Sequence, residues 1–184
     1  MARWRYREDK ATQAAARFLK RRGGRMSHLK LIKLLYLAER EALTRLGTPL
    51  TYDACVSMPH GPVLSGTLDR INERENYEGG YWDTYIAPKR DNEIALRSRD
   101  AIPNDRLSPA EELLIDEIYE RYGHMTRWEL RDLTHQLPEW TDPKGSMLPI
   151  DPADILISEG YTEEDVADMQ ADWDEAAYAA SLFS

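Results

Sequence analysis

Residues 31–43 read LIKLLYLAEREAL, and the way this stretch meets its surroundings decides the fold. On a helical wheel at about 100° per residue, with Lys30 at zero, Leu31, Leu35, Ala42 and Leu46 fall at about 100–160°. Ile32, Tyr36 and Leu43 fall at about 200–240°. So wide an apolar arc predicts the central helix of a helical domain. Ser27 supplies the start signal, and Gly47 and Pro49 the stop, so the helix is expected to end near Leu46. Glu39 lands at about 180°, in the middle of the apolar arc. A buried carboxylate has to be paired, hydrogen-bonded or protonated. No second acid stands at a telling spacing, so Glu39 reads as structural, tied to a basic side chain or to backbone N–H groups. Lys33, Leu37, Arg40, Glu41 and Thr44 lie on the polar arc and are expected to face solvent.

Outward from this helix the pattern stays mainly helical. A first helix over residues 8–22 puts Ala11, Ala14, Ala15, Phe18 and Leu19 on one stripe before Gly23-Gly24 ends it. Residues 54–58 read as a short strand. His60-Gly61-Pro62 is expected to open a third helix, with Pro62 at its first position and Leu64, Leu68 and Ile71 inward. Between Tyr81 and Arg97 the period changes to two. Trp82, Thr84 and Ile86 alternate with Asp83, Tyr85 and Ala87, and Ile94 and Leu96 answer after the turn Lys89-Arg90-Asp91-Asn92. This predicts a β-hairpin, joined by the 54–58 strand. Ser108-Pro109-Ala110-Glu111 and Thr126-Arg127-Trp128-Glu129 are capping boxes that start two more helices. A short helix follows Asp151-Pro152, and Thr162 starts the last one. The fold class is mainly α (α+β), a compact bundle of about seven helices with a small antiparallel hairpin or three-stranded sheet.

The chain has 184 residues, of which 42% are hydrophobic and 31% charged, with a single cysteine, Cys55. That composition is globular, excludes an internal disulfide, and with no apolar leader points to the cytoplasm. No apolar run is long enough to span a bilayer. The net charge of −9 is unevenly spread: residues 1–50 carry +9, residues 51–150 carry −8 and residues 151–184 carry −10. A basic head and an acidic tail either neutralise each other or present a partner-binding surface.

Candidate chemistry is sparse. There is no HExxH, no Cys/His cluster with zinc spacing, and no P-loop or dinucleotide fingerprint. Cys55 and His60, five apart, could form a nucleophile and base, with Glu39 the remaining candidate for an enzyme, but no third orienting group is in view. A buried thiol and a turn histidine is the favoured reading. The run Lys20-Arg21-Arg22-Gly23-Gly24-Arg25 could meet phosphates, or simply complement the end of the first helix. With Trp4 and Tyr6 among arginines, it keeps a DNA-associated regulator open as the alternative. The overall acidity weighs against nucleic acid. Trp82 and Tyr85, on opposite faces of the expected hairpin, are further candidates for a protein partner, since aromatic anchors dominate interfaces.

Three blocks carry a resemblance. Leu31 to Leu43 is similar to the helix that opens Panacea domains, with Tyr36 and Glu39 in place, followed by Gly47-Thr48-Pro49-Leu50-Thr51. Met58-Pro59-His60-Gly61-Pro62-Val63 forms the second block. Leu133-Thr134-His135-Gln136-Leu137-Pro138-Glu139-Trp140 resembles the family's late T-H-x-x-P-x-W element. Glu39 departs from the aspartate more usual there, and the acidic stretch after Ile150 has no counterpart. The family includes SocA-like antitoxins. The resemblance implies a cytosolic antitoxin without catalysis or cofactor, encoded beside a toxin in bacteria, plasmids or phages. It would bind a cognate toxin protein and, as a variant of the same role, deliver it to a cellular protease. Residues 1–150 would form the Panacea-like domain, with residues 151–184 an acidic helical extension packed on it. His60, Gly61, Pro62, His135, Pro138 and Trp140 are expected to be architectural, with His135 hydrogen-bonded inside the fold near Trp140.

Overall fold

A computed structural model describes residues 5–72, 79–100 and 102–181. Among them are eight α-helices and two small antiparallel sheets. Helix α1 (Glu8–Arg21) is followed by strand β1 (Arg25–Ser27), helix α2 (His28–Glu41) and a π-helical turn, Ala42–Leu46, closed by Gly47 at φ +72°. Strands β2 (Cys55–Met58) and β3 (Gly61–Leu64) precede α3 (Ser65–Ile71), α4 (Tyr81–Tyr85) and β4 (Glu93–Ala95). Helices α5 (Pro109–Tyr122) and α6 (Arg127–Thr134), strand β5 (Leu148–Pro149), and helices α7 (Pro152–Ser158) and α8 (Glu163–Ser181) complete the chain.

Helix α2 is the axis, as its wide apolar arc predicts. Residues 30–40 are buried without a break, and α1, α5, α6 and β3 pack around them. The α1 stripe of Ala11, Ala14, Ala15, Phe18 and Leu19 is fully buried. Both capping boxes form, with Ser108 and Thr126 each accepting from the N–H three residues on while Glu111 and Glu129 reach back. Each such cap contributes about 1 kcal/mol. Much of the charge of the head is met by α5, while the acidic tail reaches it through the Arg40–Glu159 pair. Lys10 pairs with Glu111 at 2.6 Å, Arg17 with Glu112 and Asp116, and Arg21 with Asp116 and Glu120.

Two expected elements are replaced. The segment His60-Gly61-Pro62 does not open a helix. Pro59 and His60 form the turn of a β2–β3 hairpin that pairs Met58 with Gly61 and Ser57 with Pro62. Pro62 is tolerated because β3 is an edge strand of the β3-β2-β5 sheet. Helix α3 starts three residues later, where the Asp53 carboxylate accepts from the N–H groups of Gly66 and Thr67. The hairpin expected over 81–97 survives only as its turn and two isolated bridges, Ile86–Leu96 and Arg90–Glu93. Its first arm is α4 instead, capped by the Glu8 carboxylate of α1, which accepts from Trp82 N–H at 2.8 Å. Its second arm, β4, pairs with β1, and the 54–58 strand belongs to the other sheet.

The acidic C-terminal segment lies against the π-helical turn. Tyr161 donates to the Thr44 carbonyl at 2.6 Å, and Trp173 Nε1 to the Gly47 carbonyl at 2.7 Å. Val166 and Trp173 are buried, while the acids of α8 face outward.

Candidate functional site

The three sequence blocks meet along one side of α2. Lys33 is fully buried, and its ammonium donates to the Pro62 carbonyl at 2.6 Å. Gly61, at φ +91°, lies directly on this group: a Cβ there would stand 2.8 Å from Lys33 Nζ, 2.8 Å from Thr134 Oγ1 and 3.2 Å from His135 Cδ2. The His135 ring stacks on Trp140 with centroids 4.3 Å apart, and Trp140 Nε1 donates to the Met58 carbonyl at 3.1 Å. His135 is held near Trp140 by this stack and by a hydrogen bond with the Pro59 backbone, while its buried Nε2 has no well-formed partner. The opening helix, the H-G-P turn and the late T-H-x-x-P-x-W element therefore form a single contact.

A second polar layer lies one turn further along α2. Glu139 is buried and accepts from Tyr36 Oη at 2.9 Å and from Arg40 Nε at 2.8 Å. Arg40 also reaches Glu159 at 2.6 Å, joining the late block to the C-terminal segment. Glu39 Oε2 accepts from Thr51 N–H at 2.8 Å and Thr51 Oγ1 at 2.7 Å, while Oε1 is buried with no well-formed hydrogen bond. The acid in the apolar arc is thus tied to backbone and hydroxyl donors, one of the two arrangements its position allowed.

Burial sets the electrostatics. It pushes the Lys33 amine down to about 7 and the Glu39 carboxyl up to about 7. The His135 imidazole is held below its ordinary value by burial and by the Lys33 charge. Burial raises the Tyr36 phenol and the Cys55 thiol, so Cys55 is no ready nucleophile. Cys55 and His60 also stand at opposite ends of the β2 arm, roughly 10 Å or more apart. Among the described residues no group of three or more His, Cys, Asp or Glu could hold a metal ion.

The expected partner face is largely internal. Lys33, Leu37 and Arg40 are buried, because α6, β3 and the loop carrying Glu139 cover what the wheel presents as the polar arc, and Trp82 is buried where α4 packs on α1. Glu41 is half-buried between Arg45 and Arg121, and Thr44 donates to the Arg40 carbonyl. Tyr85 is half-buried beside Tyr81, their rings 5.1 Å apart. His60 and Pro138 are exposed, as are Pro59, Gln136 and Thr48 of the same blocks. Sequence reasoning missed Glu139 as the buried counter-charge. The available signal was its place between Pro138 and Trp140, the only acid in that block.

A family model described as antitoxin SocA-like, Panacea domain, matches residues 31–141. Comparison with curated proteins and with solved structures gives no match. The matched region begins one residue after Lys30 and ends one residue after Trp140, and so spans all three blocks and the contact they form.

Proposed function

The chain belongs to the SocA-like antitoxin family, Panacea domain, and from that premise we propose that it neutralises a cognate protein toxin by direct binding and catalyses no reaction itself. The family match over residues 31–141 carries this reading. The geometry supports it in one respect. The buried Lys33, Tyr36, Glu39 and Glu139 of the three blocks are spent on each other's blocks and on backbone groups, which is the work of a scaffold.

Recognition then falls to side chains that leave the core. Tyr85, Glu41 and Thr44 remain from the helix and turn positions. Trp128, Met147 and Leu148 are large, apolar and exposed, and Leu148 lies on the edge strand β5. A stable complex would bury about 1,600 Å² in total. No helix of the described residues is long and apolar enough to cross a membrane, and we place the encounter in the cytoplasm.

Co-expression with the product of the neighbouring gene tests the proposal. A stable complex and restored growth are expected, with Leu148→Asp or Trp128→Glu weakening binding at least about tenfold and Lys144→Glu leaving it unchanged. A neighbouring product that is harmless alone and forms no complex overturns it. Where the bound toxin is also handed to a cellular protease, its half-life shortens when this chain is present. Of the cations behind the DNA-associated alternative, Lys10, Arg17 and Arg21 are engaged by α5, which leaves it only Lys20, Arg22 and Arg25 of the basic run.

A further inference from the structure

Away from the motif contact, a cleft of about 420 Å³ opens where the first turn of α2 meets the first turn of α6. Its size falls within the range of small-ligand sites. Arg22, Arg25, Lys30 and Arg127 line it, with Met26 and Met125 as its apolar lining. Four cations converge here in a chain of net charge −9. Glu93 is the one acid of the lining, and it is engaged by Arg25 in a solvent-exposed pair at 2.9 Å. Pairs of that kind contribute little and give way readily to a stronger anion.

The cations are not merely solvated. Lys30 is 7% exposed and held in place by donating to the carbonyls of Gly123 and Met125, at 2.6 and 2.7 Å. An ammonium has three donors, so one N–H is left over. Arg22 forms no ion pair among the described residues, and its charge, after burial, helps to depress Lys30. Ser27 Oγ, at the cap of α2, is buried with no hydrogen-bond partner. The first turn of α2 carries no acidic residue and no side-chain cap, so the positive end of its dipole is uncompensated. The Arg127 guanidinium is steadied over the Trp128 ring, 4.9 Å from its centroid. Several fixed or free donors around one cleft suit a tetrahedral, multiply charged oxyanion better than a single carboxylate.

We propose that this cleft binds a phosphoryl group carried by a small molecule, with Arg22, Lys30 and Arg127 as its principal ligands and Ser27 Oγ as a further donor. The proposal does not rest on toxin binding and is tested on this chain alone. Calorimetric titration with inorganic pyrophosphate at low salt should show saturable single-site binding, with a dissociation constant on the order of 100 μM. Arg22→Glu and Arg127→Glu, both at exposed positions, should each weaken it at least about tenfold, while Lys144→Glu, outside the cleft, should not. In the unaltered protein the backbone amide resonances of Ser27 and Lys30 should move on addition of pyrophosphate, a readout independent of any variant. Adenosine triphosphate binding more tightly than pyrophosphate would mean that Met26 and Met125 also hold the rest of the ligand. Absence of saturable binding at low salt, or equal weakening by Lys144→Glu, overturns the proposal. So does tighter binding of short duplex DNA or of a polyglutamate peptide through the same arginines, since the occupant would then be a macromolecule.

Discussion

A methyl group at position 61 would stand 2.8 Å from both Lys33 Nζ and Thr134 Oγ1, on a backbone already at φ +91°. Gly61→Ala is therefore expected to lose about 2–4 kcal/mol of stability in urea denaturation, through overpacking and left-handed strain together. Glu139→Ala should cost a comparable amount, about 3 kcal/mol, because it leaves the buried Arg40 guanidinium only the more exposed Glu159 and takes the acceptor from the Tyr36 hydroxyl. Double replacement with Arg40→Met should recover much of that loss. Glu39 gives a pH signature. Its carboxyl is raised from 4.5 to about 7, so between those values the folded state holds a proton that the unfolded chain has released. The parent then loses stability as pH rises across that window, by up to about 3 kcal/mol, and no further above it. Glu39→Gln removes this dependence, so denaturation midpoints of the two proteins should diverge in the variant's favour from pH 4.5 to 7. The burial of Glu39 was legible, since an acid in the middle of an apolar arc has nowhere else to go. The burial of Lys33 and Arg40 was not. A wheel reports how polar an arc is, and says nothing of whether β3 or the loop carrying Glu139 will cover it.

Elements whose start is written locally were legible. The boxes at Ser108 and Thr126 set α5 and α6 within four residues of sequence. Those fixed from a distance were not: α4 depends on Glu8, which lies 74 residues before Trp82, and α3 depends on Asp53, which lies 13 residues before Gly66. In both places a period-two or Pro-first pattern was overridden by a remote carboxylate capping a short helix. Glu111 allows the local and the remote contributions to be separated. It closes the capping box of α5 and also pairs with Lys10, both largely buried. Glu111→Gln keeps the box and loses the charge pair, whereas Glu111→Ala loses both. Thermal unfolding should place the alanine variant about 1 kcal/mol below the glutamine variant. Equal stability would mean that the box contributes nothing once Lys10 is unpaired.

At the scale of the molecule, α1, α2 and α5 form one charge-matched unit, and the C-terminal segment covers the π-helical turn while adding Ile155, Leu156, Val166 and Trp173 to the same core. Its polar contacts include Tyr161 on the Thr44 carbonyl, Trp173 on the Gly47 carbonyl, and Arg40 on Glu159 and Ser158. Trp173→Ala should therefore release α8 while leaving the α1–α2–α5 packing intact. A glutamate-specific protease reads this directly, because residues 151–184 contain no Lys or Arg for trypsin. Cleavage within 163–175 should accelerate severalfold in the variant, with only a small fall in the main unfolding transition.

The turn at Ala42–Leu46 carries a further consequence, for the tolerance of this gene to insertion and deletion. A π-helical turn spreads one extra residue over about the same angle as an α-helical turn, so the chain leaves it on the heading it would have without that residue. Removing one residue from the segment would restore regular α register and keep the Gly47 carbonyl within reach of Trp173. Removing a second would turn that carbonyl away by about 100°. A single-codon deletion here should thus leave the tail seated, whereas a two-codon deletion should undock it, and limited proteolysis tells the two apart. The five residues act as a length reserve in which one residue is spare and the next is not.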